Sequence, residues 1–136
     1  MARPKSAGKS AGCLCGSGKP YDACCAIHHA GIPAPTAEAL MRSRYVAFVM
    51  RLETYLYETW HPTTRPSGLR LLNESPPPTW LGLDVKRRTT DGDKATVEFV
   101  AKYRLGGASS VRMHETSRFV REGGRWYYVD GEQHSR

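Results

Sequence analysis

The chain has 136 residues, of which 40% are hydrophobic and 24% charged, the size and composition of one modest globular domain. No apolar run approaches the ~20 residues that a membrane-spanning helix needs, so the sequence predicts a soluble protein. The net charge of +7 is dispersed rather than gathered into one patch, which predicts a solvated basic surface and leaves nucleic acid as a partner not favoured.

Residues 1–12 are small, polar and basic, without periodicity, and predict a disordered tail. They lack the apolar segment of a secretory signal, which predicts a reducing, cytoplasmic setting. All 4 cysteines come directly after it, as Cys13, Cys15, Cys24 and Cys25. Two close pairs of soft ligands joined by a loop suit tetrahedral zinc, one ion per chain. A disulfide knot among them is the alternative, which a reducing compartment disfavours. Gly16 and Gly18 supply the backbone freedom for the sharp turn that ligands one residue apart require. Four protein ligands leave no open position for water, so the predicted zinc is structural. His28 and His29 lie near enough to replace Cys25 as the fourth ligand, and His29 is the better placed of the two.

The segment Ile32-Pro33-Ala34-Pro35 reads as a stiff spacer that holds the cysteine head away from the main domain. Thr36 is a helix cap, and Met41, Tyr45, Phe48 and Leu52 recur at helical spacing as one apolar stripe, with Arg42, Arg44 and Arg51 off that line. A second short helix is predicted over residues 54–60, ending at His61-Pro62, and a loop over 63–79, where Pro66, Gly68 and Pro76-Pro77-Pro78 accumulate.

From Trp80 the period changes to two. Leu81, Leu83 and Val85 alternate, as do Val97, Phe99, Ala101, Tyr103 and Leu105, and then Val111, Met113 and Phe119. Asp91-Gly92-Asp93, Gly106-Gly107 and Gly123-Gly124 mark the turns of an antiparallel meander of about four strands. Helices first and strands afterwards make an α+β fold. Strand parity turns Glu115 and Ser117 inward with Met113 and Phe119, and turns Arg112, His114, Thr116 and Arg118 outward.

An inward Glu115 is either tied into a structural network, with Arg44 or Tyr45 as partner, or is available to a ligand or a proton transfer. His61 has the same two readings, as a helix-ending residue or as a second candidate at the mouth of a pocket. No Gly-x-Ser-x-Gly elbow, phosphate loop or dinucleotide fingerprint is present. An interaction protein is therefore the first expectation; a small-ligand-binding or enzymatic domain using Glu115 or His61 is the second.

The stretch from Cys13 through Gly16-Ser17-Gly18 and Asp22 to Cys24-Cys25 resembles the SEC-C zinc motif known from the tail of a preprotein translocation ATPase. That resemblance implies Cys13, Cys15, Cys24 and Cys25 as ligands, with Leu14 standing where proline is common. Leu40-Met-Arg-Ser-Arg-Tyr45, Thr59-Trp-His-Pro62, Trp80-Leu-Gly-Leu83 and the segment from Ser117 to Gly131 extend the likeness to the bacterial YchJ family. Its members join a SEC-C motif to a cone-shaped domain with the nuclear-transport-factor-2-like (NTF2-like) fold. The implied division is a tail over 1–12, the motif over 13–32 and the NTF2-like domain over 33–136. The implied role for 1–32 is docking, onto a protein partner or the ribosome, and such folds elsewhere host isomerases and dehydratases as well as inert modules.

Overall fold

Alternation of apolar and polar residues along the second half of the chain generates the larger part of the molecule. In the computed structural model, which describes residues 12–67 and 78–134, four strands form an antiparallel meander in sequence order: β1 (Pro78–Asp91), β2 (Lys94–Leu105), β3 (Val111–Glu122) and β4 (Arg125–Gln133). The expected tail up to residue 11 and the part of the expected loop over 68–77 lie outside the described residues. Register shifts at Trp80/Gly82 and Val85/Arg87 in β1 and at Val129 in β4, opposite Arg118/Phe119 of β3, break the ladder. Bulges of this kind bend and twist a sheet locally, and here they curl it into a cone.

The concave face carries the row that parity predicts. Val97, Phe99 and Ala101 from β2 and Ser117 and Phe119 from β3 are buried there. Against this face lies α2 (Ala37–Met50), which comes after α1 (Cys25–His29) and before α3 (Glu53–Glu58). Thr36 caps α2 as expected, its Oγ1 accepting from the Ala39 N–H at 3.0 Å. After α3 the chain pairs briefly in parallel with β4, where the Tyr128 N–H donates to Thr59 O at 2.9 Å and the His61 N–H to Tyr128 O at 2.7 Å.

Two expectations need correcting. Helix α2 does not present a single apolar stripe: Leu40, Ser43, Arg44, Val46 and Ala47 are buried together with Met41 and Tyr45. One side of it packs on the sheet, and another packs on α3, where Ala47 and Leu56 form a small cluster with Phe48, Leu52 and Tyr55. The cysteine head does not stand off either. Cys13, Cys15 and Cys25 belong to the same buried cluster as Leu40, Met41, Val97, Phe99 and Trp126, and Ala34 of the supposed spacer is buried within it. A head this small has too little surface to bury its sulfurs by itself, and the side of α2 turned away from the sheet supplies what is missing. Among the described residues no helix is long and apolar enough to cross a membrane.

Candidate functional site

The cysteine head is built on two turns. Cys13 accepts from the Gly16 N–H at 3.0 Å, and its own N–H donates to Lys19 O at 2.6 Å. This hairpin turn needs Gly16 at φ 83°, where a Cβ would also lie 3.4 Å from the Leu83 carbonyl oxygen of β1. The separation is an ordinary contact, so it is the positive φ that favours glycine here. A 3₁₀ turn over Tyr21–Ala23 then delivers Cys24 and Cys25 to the start of α1.

All four sulfurs lie within 4.8 Å of one another, and the cysteines are free. Cys15 and Cys24 Sγ are 3.6 Å apart, Cys24 and Cys25 Sγ 3.9 Å. These separations are far beyond a disulfide bond of about 2.0 Å. They match the edge of a tetrahedron with metal–sulfur bonds of about 2.3 Å, which is about 3.8 Å. The cluster is able to hold a metal ion. Electrostatics points the same way: the hydrogen bond from Cys25 is the main influence pulling Cys15 down to about 4. Burial pushes Cys13 up, and Cys25 is pushed up first by its bond to Cys15. Charge on Cys15 thus opposes ionisation of Cys13 and Cys25, and a divalent ion would remove that opposition. Ser17 Oγ, 3.1 Å from Cys24 Sγ, is an outer hydrogen-bond partner of the cluster.

Neither histidine joins it. His29 Nε2 meets Ser43 O at 2.8 Å, and its Nδ1 meets the Tyr21 hydroxyl at 2.8 Å. A carbonyl can only accept, so Nε2 carries the proton, and Nδ1 receives the tyrosine hydroxyl. Both ring nitrogens are thereby used in fastening the head to α2, with Tyr55 edge-on at 4.8 Å. His28 Nδ1 meets Ile32 O at 2.9 Å. Arg42 completes the attachment: it donates to Cys15 O and to Glu38, which also pairs with Arg88 of β1 at 2.9 Å.

A second candidate site lies within the cone. Between α2 and the concave face is a cavity of about 350 Å³, with Pro78 and the exposed Leu105 among its lining residues. Its walls are aromatic at one end, where Trp80 stands 5.7 Å from Tyr45, 6.0 Å from Phe48 and 5.3 Å from Tyr103, ring centre to ring centre. Arg44, Glu115, Ser117 and Tyr128 form its polar part. Arg44 donates to Leu56 O at 2.8 Å and to Thr59 Oγ1 at 2.7 Å, and lies 4.6 Å from the Tyr128 ring centre and 5.4 Å from that of Trp60. Burial pulls its guanidinium down to about 10, which leaves it charged at neutral pH. Burial, with the charge of Glu115 as the next influence, pushes the Tyr128 phenol up to about 12.

Glu115 points inward as strand parity requires. Its Oε2 accepts from Ser117 Oγ at 2.7 Å. The carboxylate occupies the space above Gly131 on β4, where any Cβ would collide with it. Glu115 and Arg44 feel each other's charge without forming an ion pair, so the expected structural salt bridge is not what holds Glu115 in place. His61, the other candidate, does not line the cavity. Its Nδ1 is 2.7 Å from Thr63 Oγ1 and its Nε2 is 3.0 Å from Glu122, with Tyr127 edge-on. It locks the chain after α3, in keeping with the helix-ending role. Arg44, expected off the apolar stripe of α2, faces the cavity near Glu115 without pairing with it. The signal was available: Met41, Arg44, Tyr45 and Phe48 recur at the spacing of one helical face, and all four line the cavity.

Comparison with known proteins agrees with this architecture. The family model described as "YchJ, middle NTF2-like domain" matches residues 36–131. A UPF0225 protein of Xanthomonas campestris is 55% identical over 119 residues, covering 87% of this chain and 92% of its own length. Another, from Chromobacterium violaceum, is 51% identical over 126 residues, covering 89% and 92%. The solution structure of a SEC-C motif containing protein from Rhodopseudomonas palustris superposes with a TM-score of 0.78 at 38% identity, covering 88% of this chain and 96% of that one.

The attachment of the head through His29 makes a pH-dependent prediction. Burial holds this imidazole below its ordinary value, against the opposing pull of the Ser43 carbonyl. Above about pH 6.5 the ring is neutral in folded and unfolded chains alike; below it the unfolded chain takes up a proton that the folded chain resists. Stability should therefore fall as pH drops through about 6.5, and denaturant melts of His29→Gln at matched metal content should show a flatter slope between pH 7.5 and 6. Equal slopes in both proteins would remove His29 from the account.

Proposed function

The chain belongs to the YchJ family, and from that premise we propose that it is a small-ligand-binding protein in which the four cysteines hold one structural zinc ion. The observation that carries the ligand reading is the position of Glu115: a carboxylate facing an open cavity, bonded by Ser117 and not closed off by Arg44. A cavity of about 350 Å³ is in the range of small-molecule sites, with mostly apolar walls and few polar groups, as such sites have. The complementary ligand has a flat apolar body for the Trp80 end and a hydrogen-bond donor, such as an amide or amine, for the free acceptor capacity of Glu115. Binding is favoured over catalysis. Proton transfer at Glu115 needs a complementary acid, and the nearby Tyr128 is made a poorer one by its raised pKa.

Zinc suits the cysteine cluster because four thiolates at tetrahedral spacing satisfy a borderline-soft d¹⁰ ion and leave no position for water. Since the cluster shares its core with the cone, the metal contributes to the stability of the whole unit. Elemental analysis of reduced protein should give one zinc per chain, and Cys15→Ser should lose it together with a clear drop in the unfolding midpoint of the cone. Full zinc occupancy in Cys15→Ser would overturn the assignment of Cys13, Cys15, Cys24 and Cys25 as ligands.

The ligand reading is tested by screening aromatic amines and amides by NMR. Hits should shift resonances of Tyr103, Met113 and Phe119, and Glu115→Gln, which preserves shape above Gly131, should weaken them by about tenfold, the value of a charge-assisted hydrogen bond. Hits indifferent to Glu115→Gln, or none at the cavity, would count against it.

A second reading, docking through residues 1–32, is favoured by one observation: Leu14, Ile27 and Ile32 are 58%, 40% and 59% exposed on the outside of the head. Apolar side chains so displayed suit a protein partner, the ribosome included, better than they suit nucleic acid. Co-sedimentation with ribosomes should be lost in Leu14→Asp; co-sedimentation unchanged by that substitution would exclude this face.

A further inference from the structure

The convex face of the sheet holds a third group of chemically active side chains, remote in character from both sites above. Glu98 on β2 lies opposite Thr116 of β3, and Val100 lies opposite His114. Glu98 and His114 are therefore diagonal neighbours on the outward face, and His114 Nε2 is 2.7 Å from Glu98 Oε2. His134 comes just after the end of β4. Its backbone N–H donates to His114 O at 2.8 Å, which sets the two imidazoles face to face with ring centres 4.2 Å apart and planes at 24°. One ligand atom from each of Glu98, His114 and His134 lies within 4.8 Å of the other two.

We propose that Glu98, His114 and His134 form a second binding site for a divalent transition metal, independent of the cysteine cluster. Two imidazoles and one carboxylate make a donor set for Zn²⁺, Ni²⁺ or Cu²⁺ rather than for Mg²⁺ or Ca²⁺. Metal–ligand bonds of about 2.0–2.2 Å place neighbouring ligand atoms about 3–4 Å apart, so small side-chain rotations suffice. Each ligand is anchored by a separate strand of one hydrogen-bonded ladder, or by the segment bonded directly to it, and the site is largely preorganised.

A surface ion pair would account for Glu98 beside His114, and His134 is held by Thr116 and the His114 carbonyl, yet neither contact requires the two rings to stack beside the carboxylate. A metal ion would use the two neighbouring imidazoles and the carboxylate together. The environment of His114 offers a second indication: its Nδ1 is buried and has no hydrogen-bond partner among the described residues. Among the described residues the ring makes its hydrogen bond through Nε2 to Glu98, with His134 stacked on its face. Other groups act on the site too. Arg87 contributes a positive charge felt at Glu98, while Thr116 Oγ1 contacts His134 Nε2 at 2.8 Å. Arg87 opposes a cation, which makes this a site of moderate affinity. Three protein ligands leave coordination positions for water or for a group brought by another molecule.

The test uses the untagged full chain with its cysteine cluster already filled by zinc. Titration with Ni²⁺ should reveal one further saturable equivalent, with paramagnetic broadening of NMR signals centred on Glu98, His114, Thr116 and His134, and the bound zinc undisturbed. Glu98→Gln and His134→Ala should each weaken Ni²⁺ by at least about tenfold. The exposed position of His134 keeps that variant informative if His114→Ala should fail to fold. Broadening confined to other residues, affinity unchanged in His134→Ala, or no saturable equivalent at all would overturn the proposal.

Discussion

Helix α2 carries more buried surface than one sheet can cover, and the arrangement of the other elements depends on how that surplus is met. Met41, Arg44, Tyr45 and Phe48 face the cavity and sheet, while Ser43, Ala47 and their neighbours face the other way. The cysteine head and α3 take that second side. The head is thus a part of the core rather than an accessory on a tether, and its fastening runs through charged and polar bonds: Arg42 to the Cys15 carbonyl, His29 to the Ser43 carbonyl. Binding energy released when a metal orders the cysteines is transmitted to a helix that also forms one wall of the cavity.

Arg44 shows how a buried cation is accommodated without a countercharge in contact. Its hydrogen bonds go to a carbonyl and a hydroxyl, and its faces go to Tyr128 and Trp60. A planar, weakly hydrated guanidinium can be satisfied in this way; the compact ammonium of lysine cannot reproduce the stacking. Because Arg44 is satisfied by the protein itself, it leaves Glu115 uncommitted, and the polar character of the cavity rests on that carboxylate.

Local pattern made much of this legible in the sequence. The period-two runs of β2 and β3, the Thr36 cap and the inward parity of Met113, Glu115, Ser117 and Phe119 each arise from neighbours a few residues apart and appear in the structure, whereas in β1 the bulge at Trp80/Gly82 breaks the expected row and leaves Leu81 exposed while Trp80 faces the cavity. The cysteine cluster was legible for the same reason. What was hidden depends on contacts between distant segments. The Ile32–Pro35 stretch is stiff, but stiffness does not tell which way it turns, so the docking of the head was missed. Arg44 was expected off the apolar stripe of its helix yet was also a candidate partner for Glu115, and its spacing from Met41 and Tyr45 already placed it on the face that meets the cavity. His61 was legible as a residue and not as a role, since Glu122 and Thr63 determine what it does. Glu98, His114 and His134 meet only through a register that the sequence does not state.

Glu115 and Gly131 divide one small volume between two strands, and the carboxylate occupies the part that a Cβ would need. The obstacle is the far end of a flexible side chain, so a methyl group at 131 would displace the carboxylate rather than be excluded by it. The bare backbone at 131 thus sets where the acid rests: it lets the carboxylate lie over β4 within reach of Ser117, and filling that space would re-aim the acid within the cone.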